Sequence, residues 1–283
     1  MNTQTNLHDF TNGAKINSAL SAIGDLDLQR IAPSVFAEKP IEGVSKQYNF
    51  VRTIDVINKM REAGFGVVRA SQSQARTEDG KLFTKHAVRL VQSSYLGNTD
   101  VQVGHVIPEI VLTNSHDRTS AFHLSAGLYR ILCSNMLTVA AAQFRSFRVL
   151  HNDPSIYDHI IDGTNLVREI TDTVALPTVD RMMKRELTKS QELEFSQAAT
   201  YLKFGEVRPD HATNLLTARR AEDEGRTLWA VLNRIQENAV KGGYTAQDRR
   251  GRNIKVRGIT AVDRDLDFNT NLWTLGSKVL ELA

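Results

Sequence analysis

Residues 105–135 read HVIPEIVLTNSHDRTSAFHLSAGLYRILCSN. Two runs rich in β-branched and aromatic residues, 105–114 and 120–134, flank a polar NSHDRT. Such a polar break between two strand-like runs reads as a hairpin loop, in which Asn114 and Asp117 bond the local backbone. Pro108 cannot donate to a ladder, so it predicts an edge position or a bulge for the first strand. In the second strand Phe122, Leu124 and Ala126 share one face. After Gly127 the apolar role passes to Tyr129, Ile131 and Cys133. A one-residue change of phase at glycine predicts a β-bulge there, with Cys133 turned into the core.

Working outward, FGVVRASQSQAR (65–76) and FTKHAVRLVQ (83–92) carry the same strand character, joined by a turn at Asp79-Gly80. Upstream, Thr53 predicts the N-cap of a helix carrying Ile54, Ile57 and Met60 and closed by Gly64. Downstream, NMLTVAAAQF (135–144) reads as a helix capped by Asn135. Asp153-Pro154 opens another, lined by Ile156, Ile160, Val167 and Ile170. Thr188 and Gln191 form a capping-box pattern before a helix closed by Gly205. Leu228, Leu232, Ile235 and Ala239 then recur at helical spacing up to Gly242-Gly243. RRGRNIKVRGITAVD (249–263) reads as a basic hairpin, and NTNLWTLGSKVLELA (269–283) as a short final helix. The fold class is α+β: an antiparallel β-meander flanked by helices, followed by a helical segment and a basic C-terminal hairpin. The expected divisions are an arm at 1–50, an α+β core at 51–150, a helical segment at 151–245, and a basic C-terminal extension at 246–283 packing on the core.

Composition bounds the function. The 283 residues are 41% hydrophobic and 24% charged, ordinary for a globular protein. No apolar run suits a membrane span, and the N-terminus lacks the pattern of a secretory signal. A single cysteine rules out internal disulfides and zinc sites built on several thiolates, and fits the cytoplasm. Charge is uneven along the chain. Residues 1–150 carry 16 Lys and Arg against 12 Asp and Glu, 151–240 carry 11 against 15, and 241–283 carry 8 against 5. A polyanion would therefore meet the two ends rather than the middle.

Among catalytic arrangements, His105, His116, His123 and Asp117 offer metal-binding atoms, but without the spacing of H-E-x-x-H or a C-x-x-C partner. Asp79, Glu109 and Asp117 are carboxylates available to a two-metal nuclease, again without diagnostic spacing. Cys133 sits in the apolar register, where packing is the common role. Neither a nucleophile elbow nor a phosphate-cradling glycine loop is present, and no cofactor is implied. The basic residues make the stronger pattern. Arg69, Lys85, Arg89 and Arg130 lie on the strands, and Arg145 and Arg148 follow the helix read at 135–144. Lys241 precedes the tail cluster of Arg249, Arg250, Arg252, Lys255 and Arg257, five cations within nine residues. Guanidinium forks match phosphate oxygens and stay charged, so these twelve are the candidate nucleic-acid-binding residues.

VLTNSHDRTSAFHLSAGLYRILCSNMLTVA resembles a phage- and plasmid-associated family classed among the domains of unknown function. Its pattern is Asn-Ser-His-Asp-Gly, a strand, then Arg-x-x-Cys-x-Asn before a helix. Here the positions are Asn114, Ser115, His116, Asp117, then Arg130, Cys133 and Asn135, with WAVLNRIQENAVKGGY, RGRNIKVRGI and NTNLWTL as later points of similarity. Arg118 departs from the family glycine, which predicts a looser loop or a negative φ. The resemblance implies work on mobile DNA: replication, recombination, or defence against the host. The meander-then-helix architecture is similar, more distantly, to single-strand annealing recombinases of the RecT/Redβ/Erf type. Together these lead to a non-enzymatic single-stranded DNA-binding protein that promotes annealing or protection as a homo-oligomer, ring or filament. The alternatives are an inhibitor of a host restriction or defence system acting through the acidic middle, and a metal-dependent nuclease around His116, Asp117 and His123.

Overall fold

The computed structural model describes residues 20–44, 50–75, 77–97, 106–130, 136–138, 147–149, 162–165, 169–219, 223–248 and 250–282, with backbone alone at 129–130, 136–138 and 147–149. The protein is α+β and packs as two compact units, one of residues 1–131 and 143–171, the other of 132–142 and 172–283. Among the described residues no helix is long and apolar enough to cross a membrane.

In the first unit, α1 (Asp25–Ile31) and a 3-10 turn (Pro33–Phe36) precede α2 (Thr53–Glu62). The meander follows as β1 (Phe65–Gln72), β2 (His86–Gln92), β3 (Val106–Asn114) and β4 (Phe122–Arg130), each antiparallel to the one before. The short β5 (Met136–Thr138) belongs to the second unit, and β6 (Phe147–Val149) pairs with β4 at Phe122–Leu124. Register sorts the sheet into two faces. Val67, Ala70 and Gln72, His86, Val88 and Leu90, Ile110, Leu112 and Asn114, and Phe122, Leu124, Ala126 and Leu128 form one series. It is apolar through its middle and polar at one end, and the side chains of Ser34 and Thr53 meet that end. Val56, Ile57 and Met60 of α2 are completely buried. The opposite series holds Arg69, Ala87, Arg89, Val91, Ile107, Glu109, Val111, Thr113, His123, Ser125 and Gly127.

Several local expectations change. Thr53 is the first helical residue rather than the cap, which is Arg52, because its hydroxyl is engaged by His86 and Asn114 instead of the helix start. Pro108 lies in an inner strand. It is tolerated because the ladder to β2 stops at Val91–Glu109, so no donor is required of it on that side. No bulge occurs at Gly127: pairing from Thr113–His123 to Val106–Arg130 is unbroken, and Leu128 stays buried in phase with Phe122 and Leu124. The bulge is in β1, between Val67 and Arg69. Asp79 and Gly80 open a 3-10 turn inside a longer β1–β2 connection. Met136–Thr138 is a strand, not part of a helix. Cys133, Asn135 and the Asp153-Pro154 helix start lie outside the described residues.

In the second unit a π-turn (Thr171–Ala175) runs into α3 (Leu176–Lys184), followed by α4 (Lys189–Phe204), α5 (Pro209–Leu215) and α6 (Leu228–Lys241). Next come β7 (Gly242–Gln247), β8 (Asn253–Arg257) and α7 (Val262–Glu281). The α4 cap is the capping box read from sequence: Thr188 Oγ1 accepts from the Gln191 amide, and Gln191 Oε1 accepts from Thr188 N–H. Gly205 closes the helix with φ 73°. Helix α6 is the axis of the unit. Leu228, Leu232, Ile235 and Ala239 are fully buried, and so are its polar residues Asn233, Gln236, Glu237 and Asn238. They are accommodated by specific bonds: Gln236 donates to Asn269 Oδ1, and Asn238 donates to the Leu215 and Thr217 carbonyls. The final helix is longer than NTNLWTL suggested, starting at Val262, and Gly276 lets it approach Leu232 and Met182 closely.

Candidate nucleic-acid interface

The sequence stretch 242–257 folds as an antiparallel ribbon because apolar and polar residues alternate on both of its strands. Thr245 pairs with Lys255, Ala246 with Ile254, and Gln247 with Asn253. One series, Ala246 and Val256, is buried, with Ile254 at its rim. The other, Thr245, Gln247, Asn253, Lys255 and Arg257, is exposed along its whole length.

The inner side is tied down by neighbouring helices. Lys203 Nζ donates to the carbonyls of Ala239 (2.8 Å) and Arg257 (3.1 Å), joining the ends of α4, α6 and β8. Burial, helped by the nearby Arg264, lowers that amine's pKa to about 8. Lys203 also lies 5.2 Å from the Phe204 ring centroid and 5.6 Å from that of Tyr244. Burial raises the pKa of the Tyr244 hydroxyl, so it stays protonated, 3.4 Å from His211 Nδ1. Asp210 accepts from the Gln247 backbone amide, and His211 Nε2 lies 3.3 Å from the Gln247 carbonyl. The tip is equally defined. Asp248 Oδ1 accepts from the backbone amides of Arg250 and Arg252, and its Oδ2 takes the Arg252 guanidinium at 2.7 Å. These bonds, led by the Arg252 amide, hold the Asp248 carboxyl below its usual pKa. Gly251, at φ 74°, makes the left-handed step of the turn.

The predicted cations fare differently. Arg250, Lys255 and Arg257 are exposed, and among the described residues none of them pairs with a carboxylate. Arg252 is exposed but paired with Asp248, and Lys241 with Glu237 at 2.7 Å. On the sheet, Arg89 is a correction. It is 5% exposed and donates to Glu109 Oε1 at 2.7 Å, so it belongs to the interior of the first unit and is removed from any surface track. Arg69 and Lys85 are half-buried and have partners of their own. Arg130 pairs in register with Val106 and Arg148 with His123, with their side chains outside the described residues, as are Arg145 and Arg249 entirely.

The metal-site candidates do not converge. His116 is fully buried, with Nε2 3.4 Å from Thr53 Oγ1 and its ring 4.8 Å from that of Phe50. Asp117 is engaged by the amide and hydroxyl of Thr119. His123 stands on the opposite series of the sheet. Among the described residues no cluster of three or more His, Cys, Asp or Glu is suited to a metal ion. His105 lies outside them.

What surrounds His116 is a directed chain of hydrogen bonds. Ser34 Oγ donates to Gln72 Oε1 (2.7 Å), so its lone pair takes the proton of His86 Nδ1 (2.8 Å). That leaves His86 Nε2 to accept from Thr53 Oγ1 (2.9 Å), which in turn accepts from Asn114 Nδ2 (3.1 Å). Asn114 Oδ1 takes the Ser115 amide. Ser34, Thr53, His86, Asn114, Ser115 and His116 are all 0% exposed, so the NSH of the loop motif locks the sheet to α2 and the 33–36 turn. Arg118 adopts φ 69°, positive rather than negative, and donates to the Gly43 carbonyl.

Sequence reading missed the neutral members of the ribbon face, Thr245, Gln247 and Asn253, and the clamp Asp248. Period-two alternation across 244–257 carries that signal.

A family model described as "Domain of unknown function (DUF932)" matches residues 40–273. Two relatives from Escherichia coli (strain K12) are similar over 255 residues, 90% of this chain and 90% of each relative. They are UPF0380 protein YafZ at 32% identity and UPF0380 protein YfjQ at 31%. No solved structure matches the chain.

Proposed function

The chain belongs to the family described as Domain of unknown function (DUF932), and from that premise we propose that it is a DNA-binding protein whose ribbon β7–β8 holds the phosphate backbone. In this reading single-stranded DNA is the substrate, strand annealing or protection is the work, and a homo-oligomer in the cytoplasm is the working form. The observation that carries it is the ribbon itself: Arg250, Lys255 and Arg257 are exposed without carboxylate partners among the described residues, on a hairpin fixed from both its inner side and its tip. Cations held ready in this way displace counterions without first breaking ion pairs of their own. The buried Arg89 narrows the proposal to the second unit, since a track across the centre of the sheet loses its middle member.

Fluorescence anisotropy with a labelled single-stranded oligonucleotide at several salt concentrations tests the proposal. Wild-type affinity falls with salt. Replacing Arg250 and Arg257 together by Ala weakens binding to all sequences alike and makes the log–log salt slope shallower by about 1.4, at about 0.7 per lost phosphate contact. Unchanged affinity and slope in that variant, or no binding by wild type at low salt, overturns it.

A further inference from the structure

We propose that the outward face of the β7–β8 ribbon reads base edges in the major groove of double-stranded DNA. This rests on the DNA-binding reading above and goes beyond it, naming the duplex as the form engaged by this face. Pairing two strands produces a duplex, and the ribbon is built for that product.

A two-stranded antiparallel ribbon fits the major groove of B-DNA, about 12 Å wide, with one face inward to the bases and the other backed by the protein. The inner face here is backed: Ala246 and Val256 are buried, and Lys203, Asp210 and His211 bond the ribbon's backbone. The outer face presents two cross-strand pairs side by side, Thr245 with Lys255 and Gln247 with Asn253, all four exposed. Adjacent residues of one series stand on one surface, so the four side chains form a compact patch.

Their chemistry goes beyond phosphate holding. An amide of Gln or Asn offers a donor and an acceptor together, the pattern that matches adenine N6 and N7. Lys matches guanine O6 and N7, and the Thr methyl meets that of thymine. An amide can donate to a phosphate oxygen, but its donor and its acceptor are both used only against a base edge. Beyond Lys255, further charge sits at the two ends, Arg250 at the tip and Arg257 at the base, where a ribbon lying in the groove meets the flanking phosphates. Single-strand binding by stacking needs aromatics on the same surface. The outer series has none, and Tyr244 turns to the inner side, toward Lys203 and His211. The clamped tip and anchored base leave little backbone ordering to be completed on binding.

The test is selection from a pool of random-sequence duplexes, followed by anisotropy on the selected duplex, an unrelated duplex and one isolated strand. Wild type enriches a short motif. The double variant Gln247→Ala, Asn253→Ala loses the preference for the selected over the unrelated duplex, by about tenfold or more per amide. Its salt slope stays as in wild type, since neither residue carries charge, and its circular dichroism and melting temperature are unchanged because both residues are exposed. Failure to enrich any motif, or a motif fully retained by the double variant, overturns the inference. Binding to the isolated strand with no duplex binding also overturns it while leaving the DNA-binding proposal standing. Absence of binding to either form overturns both.

Discussion

Gly127 lies directly opposite Glu109 in the β3–β4 ladder, and the Glu109 side chain fills the space that a Cβ at position 127 would take. A methyl group there would stand 2.5 Å from Glu109 Oε1 and 2.6 Å from its Cγ. The carboxylate is 0% exposed and is bound to an Arg89 side chain 6% exposed, so it has little freedom to retreat. Gly127→Ala therefore costs about 1–3 kcal/mol by overpacking. In a Glu109→Ala background the same change costs under about 0.5 kcal/mol, because the obstruction is gone; urea unfolding of the four proteins reads that non-additivity. Glu109→Ala alone costs about 3–5 kcal/mol, since it removes the buried carboxylate to which the buried Arg89 donates.

His86 makes stability depend on pH. Burial first, and the neighbouring His116 second, push its pKa from 6.5 down to about 3, against smaller upward pulls from the Thr84 carbonyl and Asp117. The faces of Ser34, Thr53 and Gln72 that meet this chain are uncharged. Below pH 6.5 the unfolded chain binds a proton that the folded one refuses. The contribution of neutral His86 is thus complete above pH 6.5 and lost as pH falls toward 3, at up to about 1.4 kcal/mol per unit. Urea unfolding at pH 7 and pH 5 checks this: wild type loses on the order of 1–2 kcal/mol more than His86→Gln across that interval. Equal losses in the two proteins would falsify the assignment of His86 as the buried titrating group.

Much of this fold is written in local patterns. The meander, the Thr188 capping box, Gly205 and the apolar line of α6 follow from alternation, spacing and caps, which are short-range properties. What sequence could not show is which polar residues are consumed inside. Arg89 reads as a surface cation because its strand alternates with Lys85. Its partner Glu109 comes from another strand, and the groove that admits the pair exists only because Gly127 lies on a third. The same glycine imitates a bulge in sequence, since its missing side chain breaks the apolar phase whether or not register slips. Asn114 and His116 mimic a chemical site for a similar reason: their density reflects a buried network closed by Ser34 and Thr53, far away in the chain.

The α4 capping box is a local device, and its removal has a local cost. Thr188 Oγ1 is 3.2 Å from the Gln191 amide, and Gln191 Oε1 returns to the Thr188 amide at 2.9 Å. Thr188→Ala leaves an orphaned helix donor and costs about 1 kcal/mol, whereas Thr188→Ser or Thr188→Asp restores nearly all of it. Thermal unfolding of the three variants reads the order.

Arg118 is the non-glycine residue with a positive φ among the described residues, in a loop held on both sides. Asp117 binds Thr119 across it, and Ser115 Oγ bonds the amide and carbonyl of Ser120. The left-handed conformation costs an L-residue roughly 1–2 kcal/mol that glycine does not incur. Against this, Arg118→Gly loses the exposed bond to the Gly43 carbonyl and makes the unfolded chain more flexible, together about 1 kcal/mol. The net change is a stabilisation of up to about 1 kcal/mol. Arg118→Val loses the same bond and adds a β-branch at positive φ, so it destabilises by about 1–2 kcal/mol. Chemical unfolding of both variants checks the opposite signs. Undiminished stability in Arg118→Val would show that the loop relaxes to negative φ, and that Asp117 and Ser115 do not fix it.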